Sequence, residues 1–156
     1  MKIALLATVC WLNMQLADAA SYSMKSSHSR CVVVRSSDEP TYYQLPSEVE
    51  LTPGELQEMK RILLRALIQY NKKYGQGEFH IGPLNGYGVQ YKIFPTKDGK
   101  KEVWINGFCK DTGFMHNVTT LTTLPVSVLD GGSCYFNTTI NLAKRKASRV
   151  VIHGLA

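Results

Sequence analysis

One strongly marked helix, followed by nothing else of its period, constrains this chain more than any other feature. Thr52 is a good cap, Pro53 stands at the first helical position and Glu55 completes a T-x-x-E capping box. Leu56, Met59, Leu63, Ala66, Leu67, Tyr70 and Tyr74 then recur at spacings of three and four, which makes one apolar stripe. Glu58, Arg61, Arg65 and Lys72 fall mostly off that stripe. Lys72 and Lys73 suit the negative end of the helix dipole, and Gly75 stands where a left-handed cap belongs. The spacing predicts a single helix of about 21 residues.

After Gly77 the period changes to two. Residues 86–94 alternate, with Tyr87, Val89, Tyr91 and Ile93 on one side. Asp98-Gly99 reads as a two-residue hairpin turn, and residues 101–109 return as a strand. That turn would set Ile93 opposite Trp104 and Val89 opposite Phe108. Pro95 argues for a bulge or an edge near the tip. A second hairpin is expected about Gly131-Gly132, between residues 125–129 and 134–142. In its later strand Cys134, Phe136, Ile140 and Leu142 share a face, opposite Tyr135, Asn137, Thr139 and Asn141. Residues 149–153 supply a last short strand, while residues 31–34 and 42–45 are extended pieces ahead of the helix. The 156 residues suit one domain, and 44% hydrophobic with 19% charged residues excludes a disordered chain or a coiled coil. The expected fold is α+β over residues 41–156: one long helix packed on a curved antiparallel sheet of about four to five strands.

The N-terminal residues bear on compartment. Lys2 precedes an apolar run over residues 3–12, polar Asn13 and Gln15 follow, and Ala17-Asp18-Ala19 is a small-x-small site. This is the layout of a secretory signal peptide over residues 1–19, and its apolar run is too short to span a bilayer of roughly 30 Å. The chain is therefore expected to be secreted, without stable membrane insertion. Residues 20–40 read as a flexible segment with one short strand. Losing residues 1–19 would remove Lys2 and Asp18, one charge of each sign, so the formal +6 is unchanged. A basic excess favours acidic partners, and export makes nucleic acid the least fitting of them.

Export would leave Cys31, Cys109 and Cys134 in an oxidising compartment, where pairing is expected. Three pairs can be drawn. Cys109–Cys134 is favoured because both residues end alternating runs that should be neighbouring strands. Cys31 would then be a buried thiol or a link between two chains.

Two sequons, Asn117-Val118-Thr119 and Asn137-Thr138-Thr139, mark candidate glycosylation sites, Asn117 in a polar stretch and Asn137 on the outward face of its strand. Lys144, Arg145, Lys146 and Arg149 place four positive charges within six residues. Their order, three basic residues, two spacers and one more, is a heparin-type pattern suited to sulfate or phosphate. Lys97, Lys100 and Lys101 form a second basic tip. The expected partner is an acidic glycan or an extracellular protein held at the basic turn.

Catalytic and metal chemistry find little footing. His28, His80, His116 and His153 show no ligand spacing, so no metal or cofactor is expected. Gly131-Gly132-Ser133-Cys134 lacks the strand-to-helix context of a nucleophile elbow. Cys134 beside His116 or His153 would lose its nucleophile to a disulfide. Asp111 and Asp130 sit at turns, where aspartate bonds locally. A non-enzymatic role follows.

Ala66-Leu67-Ile68-Gln69-Tyr70-Asn71-Lys72-Lys73 is similar to the helix of secreted cystatins, and the order of leader, short strand, helix and strand meander resembles the cystatin superfamily. The resemblance implies a helix lying across a sheet that carries a disulfide. Inhibitory cystatins bring a Q-x-V-x-G hairpin, an early glycine and a Pro-Trp loop to a papain-like cleft. Here the hairpin reads Pro95-Thr96-Lys97-Asp98-Gly99-Lys100, and no Pro-Trp pair exists. The resemblance carries the fold and not the activity. Inhibition through an atypical loop and a cationic host-defence role remain the alternatives.

Overall fold

The computed structural model describes residues 23–27, 30–34, 39–111 and 118–154. Residues 1–19 and Asn117 lie outside them. Contacts divide the chain into a unit ending at Glu39 and a unit beginning at Pro40. In the first, β1 (Ser23–Ser27) and β2 (Arg30–Val34) pair antiparallel, with Cys31 opposite Ser26. Part of the stretch expected to be flexible thus contributes a strand.

The second unit is α+β, with one main helix and a six-stranded open sheet. Its elements are β3 (Thr41–Gln44), α1 (Pro53–Tyr74), β4 (Tyr87–Pro95), β5 (Lys101–Cys109), a short α2 (Val118–Thr123), β6 (Tyr135–Asn141), β7 (Lys146–Ala147) and β8 (Val151–Ile152). The sheet runs β3-β4-β5-β6-β7, and β8 also pairs with β6. All pairs are antiparallel except β3 with β4. A parallel pair needs a crossover, and α1 supplies it. The sheet therefore has more strands than expected and is only mostly antiparallel.

Helix α1 begins as its sequence predicts. The Glu55 N–H donates to Thr52 Oγ1 at 3.2 Å, and the Thr52 N–H donates to Glu55 Oε2 at 2.8 Å. Its C-terminal cap differs from expectation, because Gly75 has φ −80° rather than a left-handed value. Glycine is needed there for space: a Cβ would lie 2.6 Å from Asn71 Cα. The Asn71 side chain is held in place by its amide bonds to the Ile81 backbone, at 2.7 and 3.0 Å.

The β4–β5 register is one residue away from the expected one. Ile93 faces Val103 and Val89 faces Gly107, whereas Phe108 faces Gly88 and Trp104 faces Lys92. The turn is the reason. The Gly99 N–H donates to Thr96 O, the Thr96 N–H donates to Lys100 O, and Gly99 sits at φ +71°. That is a three-residue loop with a left-handed glycine, and its extra residue changes every pairing. Val103 and Ile105 consequently face α1, and Phe108 goes to the opposite face.

Both faces of the sheet are covered. On one, Met59, Ile62, Leu63 and Leu67 of α1 pack with Val89, Ile93, Val103, Ile105, Phe136 and Ile140. On the other, Tyr43, Phe108, Leu121 and Tyr135 form a second cluster, with Val126 and Val128 packed against it. The expected second hairpin does not form. Gly132–Cys134 is a turn of 3-10 helix, β6 pairs with β5, and residues 125–128 cross the second face outside any strand.

Candidate functional site

Turn 142–145 joins β6 to β7, and its local bonds fix how the basic residues leave the sheet. The Lys144 N–H donates to Asn141 Oδ1 at 2.8 Å, and the Arg145 N–H donates to Leu142 O at 3.1 Å. Arg145 adopts φ +51°, the one left-handed non-glycine among the described residues. Its Nε then donates to Glu58 Oε1 of α1 at 2.9 Å. Glu58 also pairs with Arg61 at 2.7 Å and lies 3.6 Å from Arg65. Arg145 foremost, with Arg61 and Arg65 adding to it, holds the Glu58 carboxyl below its ordinary range.

This latch closes one end of a groove between α1 and the segment after the turn. The groove holds about 380 Å³ and is lined by Arg65 and Lys73 from the helix and by Arg145, Lys146 and Arg149 from the sheet side. No carboxylate lines it. Tyr70 and Tyr74 form its floor towards the helix C-terminus, with ring centroids 5.7 Å apart. The Arg149 guanidinium carbon lies 5.5 Å from the Tyr74 centroid, and Lys73 Nζ lies 4.9 Å from it. Cations so placed are drawn to the ring face while keeping N–H groups for an anion. Burial pushes the Tyr70 hydroxyl up, whereas the Lys73 side chain pulls that of Tyr74 down.

Comparison with protein-family models, with curated proteins and with solved structures finds no match to this chain.

Of the four basic residues marked in the sequence, Arg145, Lys146 and Arg149 line the groove and Lys144 does not. Arg65, Lys73, Tyr70 and Tyr74 were not foreseen as site residues. A signal existed, because Arg65, Gln69 and Lys73 recur every fourth residue beside the apolar stripe and so share a helix face. In the second basic tip two of the three lysines are paired in place, Lys100 with Asp98 and Lys101 with Glu55, each at 2.7 Å.

The Cys109–Cys134 disulfide is present, with Cα atoms 4.9 Å apart, so Cys134 offers no thiolate. His153 is turned to another task. Its Nδ1 faces the Val128 carbonyl at 2.9 Å, so that nitrogen is the donor, and its Nε2 faces Asn137 Nδ2 at 3.5 Å. Asn137 is half-buried rather than outward-facing, and its Nδ2 also donates to Asn106 Oδ1 at 2.8 Å. Among the described residues, no group of three His, Cys, Asp or Glu side chains is arranged to hold a metal, and no helix is long and apolar enough to cross a membrane.

Proposed function

We propose that this chain is a secreted, non-enzymatic binding protein that holds an acidic glycan, or an acidic face of an extracellular protein, in the cationic groove. One observation carries the reading: five cations from two distant stretches of chain line a groove that no carboxylate lines, and among the described residues only Arg65 and Arg145 of the five share an acid, Glu58 behind them. Like charges gathered against a low-dielectric wall focus a positive potential and favour a polyanion. Arginine and lysine there supply forked and point-like donors suited to sulfate, carboxylate or phosphate. In this reading residues 1–19 are a leader, Asn117 and Asn137 are sequons met on export, and Cys31 is either a buried thiol or a link between two copies. The scaffold is cystatin-like by its resemblance, and the inhibitory activity of that family is not carried over.

Charge reversal tests it. Arg65→Glu, Lys146→Glu and Arg149→Glu together should abolish retention on immobilised heparin in moderate salt, whereas Lys144→Glu should leave most of it. Retention of the native chain should also fall steeply as salt rises, since screening shortens the reach of exposed charges. Unchanged retention of the triple variant would sink the proposal.

A second reading, protease inhibition through an atypical loop, draws on Leu129. That side chain is 98% exposed, next to a segment pinned by the bonds of Val126 and Val128. Nanomolar inhibition of a papain-like enzyme, lost in Leu129→Ser, would favour it over glycan binding.

A further inference from the structure

The groove does not end at Tyr74. Tyr70, Tyr74, Arg149 and Val150 also border a second hollow of about 410 Å³, completed by Phe79, Val151 and Ile152. Large apolar surfaces face water here, with Tyr74 41%, Phe79 42% and Val151 55% exposed. Arg149 is the one charged side chain in its lining. The two hollows are neighbours with Tyr70, Tyr74, Arg149 and Val150 common to both linings, the first cationic and the second mainly apolar. Arg149 stands at the junction, against the Tyr74 ring.

We infer that these adjoining hollows take a sulfated polysaccharide, whose sulfates meet Lys146 and Arg149, with Arg65 and Arg145 beyond them, while the C–H face of a neighbouring sugar ring lies on Phe79 and Val151. This rests on the groove being a polyanion site and goes further, because a site for bare charge needs no apolar shelf. A sulfated glycan alternates anionic groups with apolar ring faces along one chain, and the two neighbouring hollows present cations and then an apolar shelf. Both hollows are open to solvent, as the middle of a polymer requires. An acyl chain would instead need enclosure over most of its surface.

The test compares two probes on the full chain: a size-defined heparin hexasaccharide, and linear inorganic polyphosphate, which has charge and no ring. Phe79→Ser with Val151→Ser should weaken hexasaccharide binding about fivefold, as loss of an apolar contact does, and leave polyphosphate unchanged. Phe79→Tyr should retain the affinity of the native chain. Equal affinity of the shelf variant for hexasaccharide would overturn the inference while leaving the groove reading intact. Equal weakening towards both probes would assign the shelf a structural role and overturn it too. So would a shelf variant that loses binding to phosphatidylserine vesicles or to an acidic peptide but keeps the hexasaccharide. If Arg65→Glu with Arg149→Glu leaves binding of both probes unaltered, the underlying polyanion reading falls instead.

Discussion

Asn106 gives one amide hydrogen to Gln90 Oε1 across the β4–β5 pair, at 3.0 Å, and the other to the Val126 carbonyl, at 2.8 Å. Gln90, Asn106 and Asn137 are successive cross-strand neighbours on β4, β5 and β6. Gln90 Nε2 donates to the Leu121 and Leu124 carbonyls, both at 2.8 Å, and its Oε1 accepts the Val126 N–H at 2.7 Å. Two side-chain amides, Gln90 and Asn106, thus satisfy a stretch of backbone that has no strand to pair with, and Asn137 in turn holds Asn106. Gln90 is fully buried and Asn106 nearly so, and among the described residues no buried side-chain polar atom lacks a partner.

Gln90→Ala should therefore cost far more than a surface change. It strands two carbonyls and one N–H, and an unmade buried bond costs about 1–3 kcal/mol. A loss of about 3 kcal/mol or more is expected by urea denaturation. Amide exchange at Val126 should accelerate in step, and a Val126 amide protected as before would mean that another group holds the segment.

Two glycines are fixed by rings on opposite faces. A Cβ at Gly88 would lie 2.4 Å from the Phe108 ring, and one at Gly107 would lie 2.2 Å from the Phe136 ring, too close in each case. Gly88→Ala and Gly107→Ala should each destabilise by about 1–3 kcal/mol, since overpacking moves a buried ring off its rotamer. Thermal unfolding reads this directly. Gly86→Ala, whose Cβ would have open space, is the control.

Acid should loosen the turns and the helix latch first. Lys101 and then Thr52 hold the Glu55 carboxyl low, Arg145 holds that of Glu58 low, and Lys100 with Thr96 brings Asp98 to about 2. A depressed folded-state value stabilises above the ordinary carboxyl range and is lost as pH falls through it. The melting temperature should hold above pH 5 as far as these groups are concerned, then drop between about 4.5 and about 2. Asp98→Asn should remove the lowest part of that slope.

The two sequons should behave differently on export from a eukaryotic cell. Asn137 already commits its Nδ2 to Asn106 and towards His153, and a glycan on that nitrogen would leave one N–H for these two contacts and need space where the nitrogen is half-buried. Mass spectrometry should find the glycan on Asn117, and Thr119→Ala should remove it. A glycan at Asn137 in folded protein would show that the amide ladder opens at its β6 end.

Helix α1 was legible because its signals are local: a cap, a proline, one stripe and a lysine-rich end, all within about one element's length. The disulfide was legible for a related reason, since strand ends that alternate alike tend to be neighbours. The register was not, because Asp98-Gly99 serves a two-residue turn and a three-residue one equally well, and only the bonds of Thr96 choose between them. The stretch over 125–128 alternates like a strand, but the partners of its backbone are side chains on β4, β5 and β8's flank, which no pattern in its own residues announces. Half of the groove was visible as a charge run. The other half, Arg65 off the apolar stripe and Lys73 at the negative end of the helix, becomes a groove wall only because β7 is laid beside it.

Arg145 and Glu58, which clasp the groove, are separated by 87 positions in the chain. Neither wall exists as a site until the last strands have docked on α1, so an unfolded chain or a fragment ending before β7 presents only scattered charge. Occupancy and folding are then thermodynamically linked. A ligand of this groove at 100 times its dissociation constant would add about 2.7 kcal/mol to the native state, so the chain should melt higher in its presence.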